Sequence, residues 1–322
     1  MNTMKWLLKR EYWEHRGGFF WAPIIGGGIF LLLNLFGIIA AQLAAGRANI
    51  QVGLFKFDTM LNGMDMKAQA IAGAAVDGTI YSTTAFVGVI TGVVLIFYCL
   101  GSLYDDRRDR SVLFWKSLPV SDRDTVISKV ITAAVVVPLI ALVAGIVTSI
   151  LQLAMMGIFF AFHGINIFGA MFSFGHPFRT VLTMFGALPV TILVAIPTIG
   201  WLMLCSAWAK SKPFLWAFGI PVGAGIMVNI LDLMQRFAIP DFSFWRDVVF
   251  RALFGLFPGA WMDSGFFRQF ENMDEANLVE FNILSLDKVY GVLASPTPWI
   301  AAAIGIGMLV LAIRLRRWRD EG

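Results

Sequence analysis

Residues 130–162 read VITAAVVVPLIALVAGIVTSILQLAMMGIFFAF, 33 positions without one charged side chain. About 20 apolar residues wound into a helix cross a hydrocarbon core of roughly 30 Å, so this stretch is long enough to span a membrane with residues to spare. Five further uncharged runs lie to either side, at 17–46, 78–104, 180–209, 213–231 and 289–313. The last is broken by Ser295-Pro296-Thr297-Pro298, so its helix is expected to begin near Pro298, where a missing N–H suits a first turn. Arg314 and Arg316 then extend their heads to the interface. The expected fold is all-α integral membrane: six transmembrane helices with an N-terminal interfacial helix and an outer amphipathic or re-entrant segment before the last span. Spans are placed near 19–45, 80–103, 130–155, 180–208, 213–231 and 298–316, all within one transmembrane domain covering 1–322.

The bulk composition agrees. Of 322 residues, 58% are hydrophobic and 14% charged, against about a quarter charged in an ordinary soluble domain. The pI near 9.2 does not point to nucleic acid, because the charges sit in short blocks between long uncharged runs. Sixteen of the 25 Lys and Arg residues fall in the segments on the N-terminal side of the bilayer: the N-terminus, 104–129, 210–212 and the C-terminus. Short loops rich in Lys and Arg stay in the cytoplasm, so both termini are expected there, in a multi-pass protein of the inner (plasma) membrane. The charged start is too long, and the apolar run after it too long, for a cleaved secretory signal.

Catalytic constellations are missing. No Gly-Lys dipeptide occurs, which excludes a Walker A phosphate loop, and neither HExxH nor CxxC is present. Cys99 and Cys205 lie in apolar runs and read as reduced packing residues. His15, His163 and His176 are scattered, and the 15 methionines are dispersed, so no metal site and no catalytic residue is assigned. Asp232 sits at the end of a run, and no carboxylate lies deep within one, unlike the buried acids of ion-driven transporters. Pro138, Pro189, Pro197 and Pro221 fall within spans. Gly88–Gly92 and Gly219–Gly223 are spaced for close helix approach, either within the subunit or between two copies.

The long outer segment 232–297 holds an amphipathic pattern. Trp245, Val248, Val249, Ala252 and Leu256 share one helical face, with Arg246, Asp247 and Arg251 opposite and Pro258-Gly259 as a stop. A helix lying at the outer interface, or dipping into it, is expected.

One inner loop differs from the rest. Residues 104–129 read YDDRRDRSVLFWKSLPVSDRDTVISK, with 11 of 26 residues charged. Within it lie Val112-Leu113-Phe114-Trp115 and then Leu118-Pro119, flanked by Arg107, Arg108, Asp109, Arg110 and Lys116. Apolar and aromatic anchors inside a charged frame have the composition of a docking epitope; the alternative is a juxtamembrane segment with its aromatics among the headgroups. Ser121 stands three residues before Asp124, at capping-box spacing, suited to a helix leading into the third span.

The string RRDRSVLFWKSLPVSD, between the second and third of six spans, resembles the signature cytoplasmic loop of ABC exporter permeases of the type-two export class. Asp106 to Arg110 match the family's charged stretch, Ser111 to Leu118 its short apolar helix, and Pro119-Val120-Ser121 its closing turn. The family's usual Gly-Thr-Leu is Arg110-Ser111-Val112 here, which leaves the subfamily open. The match covers under a tenth of the chain, although the order of spans and loops follows the family throughout. The resemblance implies a non-enzymatic transport subunit with no cofactor of its own. ATP and Mg would belong to a separate ABC ATP-binding subunit, present in two copies and docked on this loop. It further implies a second permease subunit, as homo- or heterodimer, and an N-terminal interfacial helix over about 5–16, in contact with membrane lipid through residues such as Lys9, Arg10 and Trp13. The expected function is ATP-driven export of a peptide-, drug- or lipid-like substrate; the alternative is a non-transporting membrane anchor or assembly factor for a cytoplasmic partner. The few polar groups within spans (Asn34, Gln42, Thr91, Gln152 and Asn229) lean towards amphipathic cargo.

Overall fold

The computed structural model describes residues 3–47, 66–109, 121–163, 168–233, 244–262 and 285–319. Every regular element among them is helical. Among the described residues six helices are long and apolar enough to cross a membrane: Gly17–Ala44, Gln69–Arg108, Asp122–Phe162, Pro177–Trp208, Pro213–Leu231 and Thr297–Arg317. The chain is an all-α, multi-pass membrane protein, as its uncharged runs lead one to expect.

In chain order, α1 (Thr3–Glu14) passes through a π-helical turn, Gly17–Trp21, into the first span, α2 (Ala22–Arg47). The second span is α3 (Met66–Gly101), followed at once by the short α4 (Tyr104–Arg108). The third is built from α5 (Asp122–Ile131), a π-helical turn at Thr132–Val136, and α6 (Val137–Phe162). A short α7 (Phe168–Phe174) precedes the fourth span, α8 (Pro177–Trp208), and the fifth is α9 (Pro213–Leu233). After the re-entrant segment come α10 (Leu286–Gly291) and the last span, α11 (Thr297–Arg319). That helix starts one residue before Pro298, as the broken run implies. Contacts of α1 and of Arg316 with the start of α5 place both termini at the same end of the bundle.

Helix α3 begins a dozen residues ahead of its uncharged run, because Met66–Asp77 is rich in alanine, the strongest helix former, and needs no lipid to stay helical. The extension carries Asp77 to the N-terminus of α8. There its carboxylate accepts from the His176 backbone N–H at 3.2 Å and from the Thr180 hydroxyl at 2.9 Å. His176, at the N-cap, makes no capping bond with its own side chain. Asp77 thus caps α8 from a neighbouring helix, satisfying an orphan donor and facing the positive end of the helix dipole.

The centre of the bundle is the crossing of α8 with α11. A Cβ on Gly305 would lie 2.8 Å from the Ile196 carbonyl, and one on Gly200 would meet the Gly305 carbonyl. Only glycines let these two backbones touch. Around the crossing, Phe19, Leu95, Cys99, Val137, Ile199, Leu202 and Met203 form one buried cluster. Cys99 and Cys205 are free thiols within the packed interior.

The amphipathic segment 244–262 departs from its helical-wheel reading. Residues Trp245–Phe250 form a π-helical turn, followed by Arg251–Leu253. A π turn carries more than four residues per turn, which rotates the buried stripe. Val249 and Leu253 face inward at 4% and 2% exposure, while Val248, expected beside Val249, is 46% exposed. The chain then turns at Gly259, whose φ is +81°, a left-handed conformation that glycine adopts without strain.

This segment enters the bundle rather than resting on it. The Thr198 hydroxyl donates to the Arg251 carbonyl at 2.6 Å and accepts from the Gly255 N–H at 2.9 Å. Gly92 lies against the Leu256 carbonyl and Phe257, and Gly88 against the Pro258 ring. The Gly88–Gly92 pair therefore serves contact within the subunit. Gly219 and Gly223 have no neighbouring atoms at the position of a Cβ.

Candidate functional site

The candidate site lies at the end of the bundle that carries α1 and the end of α11, where α4 and the start of α5 flank 110–120. The docking anchors read from the sequence, Arg110, Val112, Leu113, Phe114, Trp115, Lys116, Leu118 and Pro119, lie outside the described residues. Both flanks of that segment are described, and both are fastened.

On the entering side, Ser206 of α8 acts as the fastener. Its hydroxyl donates to the Leu100 carbonyl at 2.7 Å and accepts from the N–H groups of Leu103 and Tyr104 at 3.1 and 2.9 Å. Arg107 donates to the carbonyls of Ser206 at 2.6 Å and Ala209 at 3.1 Å, so its guanidinium caps the negative C-terminal end of α8. Arg108 and Asp109 are exposed and paired with each other at 3.1 Å. On the returning side, Ser121 is the N-cap of α5 and accepts from the Asp124 N–H at 3.1 Å, at the spacing seen in the sequence.

Between the flanks runs a chain of alternating charges. Glu11 of α1 is fully buried and 3.2 Å from the Lys129 ammonium of α5, which is 2% exposed. Arg10 donates to Glu11 at 2.6 Å, and the Tyr98 hydroxyl donates to it at 2.9 Å. Lys129 also lies 3.8 Å from Asp106 of α4. Arg316 of α11, 4% exposed, reaches Asp106 and Asp122, each at 3.2 Å. Asp106 precedes the 110–120 segment and Asp122 follows it, so one guanidinium of the last span clasps both ends of the loop.

Burial raises the Glu11 carboxyl, but Lys129, Arg10 and the Tyr98 hydroxyl outweigh it and hold Glu11 below the usual carboxylate range. Glu11, Glu14 and His15 bring ligand-type atoms within 4.8 Å of one another. The carboxylates are already met by cations, Lys129 and Arg10 on Glu11 and Arg10 on Glu14 at 3.7 Å, and the cluster reads as an ion-pair network.

The expected interfacial helix is α1. Leu7 and Glu11 are buried, while Trp6 and Trp13 are 55% and 64% exposed. The Lys9 ammonium lies over both rings, 5.1 Å from Trp6 and 4.7 Å from Trp13. That stripe has the amphipathic make-up of a headgroup contact. Arg10, expected on the same outer surface, turns inward to Glu11 instead. Beside the loop entrance an open cleft of about 540 Å³ has an apolar floor of Phe97, Leu100 and Phe214, with Asp105 and Lys212 at its rim.

Sequence reasoning missed Glu11, Asp106, Asp122, Lys129 and Arg316 as a unit. Their one signal is position, each lying close to where an apolar run meets a charged block; Arg316, expected to extend its head to the interface, is instead 4% exposed because Asp106 and Asp122 engage it. No protein-family model matches this chain, and no curated protein and no solved structure is significantly similar to it.

Proposed function

We propose that this chain is the transmembrane permease subunit of an ATP-driven ABC exporter, with 110–120 as the segment that receives force from a separate ATP-binding subunit. The observation that carries the reading is the clasp: Arg316 holds the residues before and after that segment, and Lys129 joins the same network to the N-terminal helix. Hydrogen-bonded buried pairs make a stiff joint, because separating one partner leaves an uncompensated charge. A push on 110–120 therefore reaches α1, α5 with α6, α8 and α11 together. That is the mechanical requirement for a subunit that has no Walker A loop and depends on a partner for nucleotide hydrolysis.

In this reading the terminal end faces the cytoplasm, with two ATP-binding subunits below it, each supplying ATP and Mg, and a second permease subunit alongside. Phe114 and Trp115 insert into the partner, Arg108 and Asp109 set electrostatic fit at the rim, and the cargo is a peptide-, drug- or lipid-like molecule.

The test is co-expression with the candidate ATP-binding subunit and purification through one tag. Phe114→Ala with Trp115→Ala is expected to abolish co-purification and the stimulation of ATP hydrolysis. Retention of both by the double variant rejects 110–120 as the coupling segment. Loss of co-purification with no substrate-dependent ATP hydrolysis in the wild-type pair favours a membrane anchor.

A further inference from the structure

The re-entrant segment carries charge to a depth where charge is expensive. Trp245 donates its indole N–H to Asn229 at 2.9 Å, and its ring lies against Gly225. At 1.5 Å per residue, Asn229 stands about 24 Å along α9 from Pro213. The Arg251 carbonyl is bonded to Thr198, which stands about 15 Å along α8 from Trp208. Residues 245–251 thus descend through the outer half of a hydrocarbon layer roughly 30 Å thick. Trp261, packed with Ala187 and Val190, marks the return.

Three ionisable side chains ride on this descent. Arg246 donates to both oxygens of Asp247, at 2.9 and 2.7 Å, in a fork-to-carboxylate pair. Arg251 approaches the same carboxylate at 3.9 Å. Within this trio two guanidiniums share one carboxylate. Arg246 and Asp247 remain 31% and 30% exposed and Arg251 16%. Their neighbours Val248 and Phe250 are 46% and 43% exposed, so the surface beside the cluster is apolar and faces away from the bundle.

A charged side chain at mid-membrane costs about 2.5–3.5 kcal/mol on insertion scales, so such residues face a polar route or a charged partner. An ion pair serving structure alone is better buried, as Glu11 and Lys129 are at the opposite end. An arginine fork held in plane by a carboxylate, half-open and edged by apolar side chains, matches an anion that has a hydrocarbon tail. Neither guanidinium has to be otherwise unengaged, since each carries five N–H donors. Planar forks bind phosphate and carboxylate oxygens in bidentate fashion, and arginine stems extend upward to meet a headgroup.

The geometry points to Arg246 and Arg251 as a binding site for the anionic headgroup of a membrane amphiphile in the leaflet remote from the termini, with Val248 and Phe250 against its tail and Asp247 orienting both forks. This site goes beyond the export reading and does not depend on it.

The test uses the full chain alone in nanodiscs of neutral lipid, without any ATP-binding subunit, so its result is independent of the fate of the permease reading. The probes are fluorescent phosphatidylglycerol, fluorescent phosphatidylcholine and inorganic phosphate. Wild-type protein is expected to bind phosphatidylglycerol at least about fivefold more tightly than phosphatidylcholine, a preference consistent with charge-assisted bonds, and to show no saturable binding of inorganic phosphate. Arg246→Gln with Arg251→Gln should reduce that preference to under about twofold, whereas Arg246→Lys with Arg251→Lys should keep part of it. Should the double glutamine variant fail to fold, Arg246→Gln alone decides, with a loss of at least about half the preference expected. An undiminished preference in a folded glutamine variant overturns the site. Inorganic phosphate binding as tightly as the lipid overturns the amphiphile assignment.

Discussion

Two charged networks among the described residues behave oppositely. At the terminal end, Glu11, Lys129 and Arg316 are 0%, 2% and 4% exposed. On the re-entrant segment, Arg246 and Asp247 are about one-third exposed. The first network joins four elements that are distant in sequence, and its members have closed on one another. The second lies along a single short segment and stays part-exposed. Buried pairs act as joints because removing one charge strands the other, whereas open pairs act as contacts because what they hold can be exchanged.

Lys129→Ala is the sharpest way to break the joint. It leaves Glu11 buried with Arg10 as its remaining cation and the Tyr98 hydroxyl as a donor, and a loss of about 3–5 kcal/mol is expected, read as a lowered thermal midpoint in detergent. Adding Glu11→Leu should restore much of that loss, since an apolar replacement of a buried pair is tolerated; no recovery in the double variant would show that the pair is not the unit of stability. Thr198→Val comes next. It removes the acceptor of the Gly255 N–H and the donor to the Arg251 carbonyl, and about 2 kcal/mol should be lost, with earlier proteolysis within 244–262 as a second readout.

Acid separates the regions by a different route. Glu11 in the folded chain titrates below its ordinary value of 4.5. Its contribution is therefore fully present above that value and lost as pH falls from there through the folded value. Thermal midpoints measured from pH 6 downward should drop on that acid side for the wild type, and drop less for the variant that carries Leu at 11 and Ala at 129. The smallest effect is expected from Arg246→Ala. Asp247 keeps Arg251 at 3.9 Å when Arg246 is removed, so the thermal midpoint should move less than for Lys129→Ala while lipid preference changes. A large destabilisation instead would class the re-entrant pair with the buried joint and erase the contrast.

Much of the framework is legible in the sequence. Six spans followed from uncharged runs, the start of α11 from Pro298, and the cap of α5 from Ser121 and Asp124. The re-entrant segment shows in the sequence as an amphipathic stretch, but the helical stripe holds only for 3.6 residues per turn. The π-helical turn moved the buried face to Val249 and Leu253 and turned Val248 outward. Arg10 and Arg107 looked like surface charge and turned inward, because a buried carboxylate and two helix-end carbonyls awaited them.

What the sequence by itself determined is local: where the chain must be helical, where lipid must surround it, where a helix is capped, and that 104–129 differs from the other loops. Those properties depend on hydropathy and on neighbours within a turn or two. Only the tertiary structure decided which charges meet. Glu11 and Lys129 are 118 positions apart and Asp106 and Arg316 are 210 apart, and charge spacing along the chain does not encode such pairings. The approach of Gly88 and Gly92 to 256–258 was decided the same way. Small residues permit close contact, and the fold chose their own re-entrant segment as the partner.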